Sequence, residues 1–185
     1  MQPTWRITVA AALLGLAAAG AVAAQDRIME IGIDGGVQRQ TYEGRSVSYT
    51  AFPVAWPTFR APLRFGQFVT PALEIEPAFG MLLAGGSGSS FTSFVGSWSM
   101  LYHFRTDRSV PRPYVRAAGL VRVVGGGSTA TQLGLQGALG LKVPNGERIG
   151  TRFEIGYGRA FENEEKGLAG IRLLDFTFGF SYFTR

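Results

Sequence analysis

The 185-residue sequence contains no cysteine, which excludes disulfide stapling, a thiolate nucleophile and any cysteine-based metal site. It has one histidine, His103, so no histidine-rich metal site can form and no metal or other cofactor is expected. Charged residues make up only 17% of the chain, against the roughly 25% of an ordinary soluble domain. Lysine is also scarce: 16 of the 18 basic residues are arginine. The net charge is +5, but the basic residues stand singly along the chain. Without a Lys/Arg cluster there is no electrostatic footprint for nucleic acid, and none is expected as a partner. Beyond residue 24 no apolar run approaches the roughly 18 residues of a membrane helix.

What the chain has instead is glycine (26), phenylalanine (14) and alternation. Residues 1–24 read as a cleaved signal peptide, with Arg6, the apolar run Ile7 to Ala19, and small residues for cleavage at Ala21-Val22-Ala23 or Val22-Ala23-Ala24. Residues 25–185 then form one domain. Its clearest segment is the last, Ile171 to Arg185. Leu174, Phe176, Phe178, Phe180 and Tyr182 alternate with Asp175, Thr177, Gly179 and Ser181. Period-2 alternation of this kind makes a strand with two unlike faces. Such an aromatic face suits lipid, with an aromatic near the membrane edge.

Seven further segments alternate in the same way. They run from Ile28 to Val37, Thr58 to Phe68, Pro71 to Leu83, Phe91 to Phe104, Pro113 to Val124, Ala130 to Val143 and Ile149 to Ala160. In the second, Phe59, Ala61, Leu63 and Phe65 alternate with Arg60, Pro62, Arg64 and Gly66. Pro62 and Pro77 are irregularities, because proline cannot donate to a ladder. Gln38 to Pro57 is expected to be the longest loop, with frayed strand ends and aromatics near a membrane interface. Pro144-Asn145-Gly146 is a strong turn signal. Gly85 to Ser90 is a flexible loop; it lacks the lysine and helix that a phosphate cradle would need. Eight strands with short connections predict an all-β, eight-stranded antiparallel up-and-down transmembrane β-barrel. Both termini and the tight turns are expected on the periplasmic side, with longer segments opposite.

The polar faces collect six acids and six bases: Glu30, Asp34, Arg60, Arg64, Glu74, Glu76, Arg116, Arg122, Lys142, Arg152, Glu154 and Asp175. Turned inward, they would form a nearly neutral, salt-bridged lumen in a barrel just wide enough for side chains to fill. The arginine fork suits bidentate pairing in such confinement. The opposite faces carry almost no charge, as expected where Arg or Lys facing lipid costs roughly 2–4 kcal/mol at the midplane. Turned the other way, the same faces would make a soluble barrel with an apolar interior.

The segments L-E-I-E-P-A-F-G (Leu73 to Gly80), T-R-F-E-I-G-Y-G (Thr151 to Gly158) and the F-x-F-G-F-x-Y-F ending resemble the small outer-membrane β-barrel superfamily, the OmpA-like and opacity-type proteins. The resemblance covers the whole mature chain as a pattern. It implies a Gram-negative outer-membrane location, lipid as the surrounding partner and the barrel-assembly machinery as a partner in biogenesis. That machinery would read a C-terminal signal resembling Phe176, Phe178, Phe180, Tyr182 and Phe183, the residues expected to face lipid. The protein is expected to be monomeric.

The leading functional reading is a structural outer-membrane barrel without catalysis. The alternatives are a narrow or gated pore, a soluble lipocalin-like barrel for an apolar ligand, and a lipid-modifying enzyme. Gly96-Ser97-Trp98 is like the lipocalin G-x-W but sits in the fourth strand rather than the first. A lipid-modifying enzyme would need a Ser/His pair. His103 shares a face with Ser97 and Ser99, yet it is followed by Phe104 and Arg105, without the His-x-Ser arrangement of lipid A deacylases. Glu74 and Glu76 are paired carboxylates suited to acid/base work, with nearby arginines as more economical partners.

Overall fold

The computed structural model describes residues 28–43, 45–51, 59, 61–86, 89–125 and 129–184. Residues 1–24, expected to be a signal peptide, and Arg60 lie outside these. Among the described residues nine strands form: β1 (Met29–Tyr42), β2 (Arg45–Ala51), β3 (Leu63–Phe68), β4 (Leu73–Gly86), β5 (Ser89–His103), β6 (Arg112–Gly125), β7 (Ala130–Pro144), β8 (Ile149–Ala160) and β9 (Ile171–Phe183). Every neighbouring pair is antiparallel, and β9 returns to pair with β1 from Glu30↔Phe183 to Thr41↔Arg172. The sheet therefore closes on itself as an all-β barrel.

The barrel has eight staves because β2 and β3 share one. β1 pairs with β3 over Met29 to Ile33 and with β2 over Gly36 to Tyr42. Continuing the β2 register would set position 54 opposite Ile33, but Leu63 stands there, so the β2 and β3 registers on β1 differ by nine residues. Here the structure corrects two expectations. The segment Gln38 to Pro57 is not simply a loop: β1 runs on to Tyr42 and turns directly into β2. Among the described residues of the second segment, the strand begins only at Leu63. Alternation written before Leu63 therefore does not set facing. Phe59, read as outward, is buried at 3% exposure.

Pro62 stands just before β3, where its carbonyl accepts from the Asp34 backbone N–H at 2.8 Å. Pro77 sits inside β4, and its cost is visible in the pairing. The β3–β4 ladder holds at Leu63↔Phe79, Arg64↔Ala78, Gln67↔Ile75 and Phe68↔Glu74, and lapses opposite Pro77. A missing N–H interrupts the ladder without ending the strand.

The connections divide between two ends. The terminal end carries Met29, Phe183 and the turns between β3 and β4, β5 and β6, and β7 and β8. The Asn145 turn closes by an Asn145 N–H to Ile149 carbonyl bond of 2.8 Å, with Gly146 at φ 137°, a conformation that favours glycine. At the opposite end, β1 turns into β2 and β4 into β5 with only two residues between them, so the segments there are not uniformly the longer ones. The longest described there joins β8 to β9 and holds the 3-10 turn Glu164–Lys166, which Gly167 ends in the left-handed region.

Candidate functional site

Alternation sends one side of every stave into the lumen and the other out. Met81, Leu83, Met100, Leu133, Leu135, Leu139 and Tyr157 are all more than half exposed on the outside. Phe176, Phe178, Phe180 and Tyr182 join them at 40–53% exposure. Inside lie Glu30, Asp34, Arg64, Glu74, Glu76, Lys142, Arg152, Glu154 and Asp175, all buried. Arg116 and Arg122 are also inward and partly buried. Phe183 departs from the face assigned to it: it follows Tyr182 on the opposite parity and helps line a cavity beside Ser181. The outward aromatic series therefore stops at Tyr182.

The lumen is layered. In its centre Arg64 donates from Nε to Asp34 at 2.9 and 3.0 Å, from Nη1 to Glu30 and to Glu76 (3.3 Å), and from Nη2 to Ser181 at 2.6 Å. Arg152 donates to Glu76 and to Glu154, both at 2.6 Å. Arg116 also holds Glu154, at 2.7 and 3.1 Å, and reaches Gln136 and Ser99. Lys142 bridges Glu30 and Glu74. Each acid of this layer has a cationic partner, as buried charge requires if it is not to cost several kcal/mol. Glycines make the room. A Cβ on Gly32 would collide with the Arg64 guanidinium, one on Gly66 with the Glu74 carboxylate, and one on Gly140 with the Tyr114 ring.

Toward the opposite end the charges give way to amides and then to apolar groups. Asp175 accepts from Gln38 at 2.7 Å and from Gln136. Phe59 packs with Ala118, Leu120, Ala160 and Leu173. Its N–H donates to Gln38 at 2.9 Å, and the Arg122 guanidinium lies 4.2 Å from its ring centre. Gln132 closes the same mouth by donating to the Phe161 and Ala169 carbonyls, both at 2.9 Å. Between plug and ion layer there remains a cavity of about 40 Å³. That holds a few waters at most, since one needs roughly 10–15 Å³.

Toward the terminal end the lumen becomes basic and aromatic. His103 bonds Glu74 at 2.8 Å, beside the rings of Phe68 and Tyr114. Tyr114 donates to Glu154 at 2.8 Å. Arg112, 3% exposed, completes this floor.

The chemistry available here is limited. Among the described residues, Glu30, Glu74 and Glu76 could together face a metal ion. Lys142, Arg64 and Arg152 already occupy their oxygens, which leaves the cluster no charge to offer a cation. The His103 Nε2 is bonded to Glu74, and no described serine bonds the ring. The lipocalin-like arrangement needs the apolar face inside, whereas here that face is outside. Sequence reasoning missed the inward apolar residues Val95, Leu101, Leu120 and Leu173, and the inward cation Arg112. Strand parity alone would have placed most of them.

No protein-family model matches the chain, and no curated protein matches it. Solved structures do. The structure of Neisserial surface protein A superposes with a TM-score of 0.62 at 14% identity, over 83% of this chain and 96% of that one. Ail, the attachment invasion locus protein of Yersinia pestis, in complex with the heparin analogue sucrose octasulfate, gives 0.50 at 10% identity, over 86% and 100%. The fold is that of the small eight-stranded outer-membrane barrels.

Proposed function

We propose that this chain is a structural outer-membrane β-barrel, spanning the bilayer around a filled, salt-bridged lumen and performing no catalysis. The observation that carries this reading is the polarity of the wall. Large apolar side chains stand half-exposed all around the outside, while charged ones are buried inside. In water that polarity would be costly on both faces, with apolar surface left wet and ions taken out of solvent. In a bilayer the outer face is solvated by lipid and the lumen pairs its own charges.

The lumen residues then hold the barrel rather than act on a substrate. The tight Asn145 turn, the start of β1 at Met29 and the end of β9 at Phe183 sit at one end, which we assign to the periplasm by the usual disposition of such barrels. Outer-membrane lipid and the assembly machinery are its proposed partners. A conducting pore is less well supported, because the ion layer and the Phe59 plug lie in series.

The test is membrane fractionation of the expressed full-length protein, with unheated and boiled samples run together on a denaturing gel. Recovery in the outer membrane with a heat-dependent mobility shift supports the proposal. A soluble periplasmic species that needs no detergent refutes it.

A further inference from the structure

The terminal end of the lumen holds a second cavity, of about 100 Å³, lined by Arg108, Arg112, Lys142, Thr151, Ser181 and Phe183 among others. Its cations are not equivalent. Lys142 is committed to Glu30 and Glu74. Arg112 is 3% exposed and Arg108 half-buried, and among the described residues neither forms an ion pair. The Nη1 atoms of both are buried without a hydrogen-bond partner. Both guanidinium groups lie against one face-bearing ring, Phe68, at 4.2 and 5.2 Å from its centre.

Two guanidinium groups with unmet Nη1 donors at one cavity contrast with Arg64, Arg116 and Arg152 in the ion layer, each of which holds a carboxylate. Burial, and then the like charge of Arg112, lower the Arg108 pKa against the smaller opposing pull of Glu74 and Glu30, and a bound anion would relieve that repulsion. The turn that presents Arg108 is pinned, with Asp107 accepting from the Ser109 N–H at 2.9 Å and from its hydroxyl at 2.7 Å. The Phe68 ring lies against both guanidinium groups and adds a cation–π gain.

We propose that Arg108 and Arg112 form an anion-binding site at the terminal mouth of the barrel, built for a phosphate group. A carboxylate would satisfy one fork. A phosphate offers oxygens enough for donors from two arginines. The group comes either from free phosphate reaching the mouth or from a phospholipid headgroup folded over the rim. The site does not depend on which membrane holds the barrel.

The test uses the mature chain folded in a phosphate-free detergent. Its thermal unfolding midpoint is followed as inorganic phosphate replaces chloride at constant ionic strength. In parallel, the micelles are doped with phosphatidylglycerol or with uncharged diacylglycerol. A ligand of the folded state raises the midpoint with concentration. A rise with inorganic phosphate identifies free phosphate as a ligand. A rise with phosphatidylglycerol alone identifies the headgroup. In R108Q and R112Q the apparent affinity should fall about tenfold or more, the loss of a charge-assisted hydrogen bond. R108Q lies in a turn, so it keeps the test intact should R112Q not fold. No rise in either arm, or equal rises in the variants, overturns the site.

Discussion

Arg152 on β8 donates to Glu76 on β4 at 2.6 Å, and those two strands stand on opposite sides of the eight-stave ring. One side-chain pair thus crosses the full width of the lumen. Removing a single partner leaves the other buried and short of charge. Arg152→Met should destabilise the barrel by about 3–5 kcal/mol. Adding Glu76→Gln to it should recover part of that loss. A double-mutant cycle on urea unfolding of the refolded barrel measures the coupling.

Glycine positions offer a paired test. Gly140 faces the Tyr114 ring so closely that an added methyl must displace it, which also strains the Tyr114 to Glu154 bond. A methyl added at Gly119 would meet nothing within 4 Å. Gly140→Ala should cost about 1–3 kcal/mol, whereas Gly119→Ala should be near neutral. Unfolding midpoints of the two variants in one detergent decide this.

The outer face carries its own prediction. Leu139 is 61% exposed on β7. On a water-facing wall, Leu139→Arg would be harmless. On a lipid-facing wall near mid-depth it should cost about 2–4 kcal/mol. Equilibrium unfolding from lipid vesicles is the measurement.

Phe59 and the ion layer close the lumen separately. Phe59→Ala should lower stability, by up to the roughly 3–5 kcal/mol of a buried Phe truncation. It should leave planar-bilayer conductance unchanged, because Arg152 and Glu76 still bridge the lumen. A conducting Phe59→Ala barrel would show that the plug alone seals it.

The fold was legible because strand periodicity repeats in every stave. The closing strand from Leu174 to Tyr182 shows the pattern most plainly, and its register with β1 follows it residue for residue. Phe59 and Phe183 show where that reasoning fails. Phe59 lies outside any strand, so counting by twos from Leu63 says nothing about its direction. Phe183 ends β9, where two successive aromatics must point to opposite faces. The inward charges could be gathered by parity, but their partners could not. Arg152 and Glu76 are 76 residues apart in sequence, and only closure of the ring brings them together. Arg112 was hidden because it begins its strand beside the prolines at 111 and 113, where alternation is hardest to read.

Trp98 provides the most direct measurement of the wall's polarity. It is 43% exposed on the outer face of β5. With Trp5 and Trp56 replaced by phenylalanine, it becomes the sole tryptophan of the folded chain in lipid vesicles. A barrel with its apolar face in the bilayer gives strong quenching of Trp98 by lipids brominated on their acyl chains and little by aqueous iodide. Quenching by iodide, with none from the brominated chains, would contradict the placement of that face in lipid.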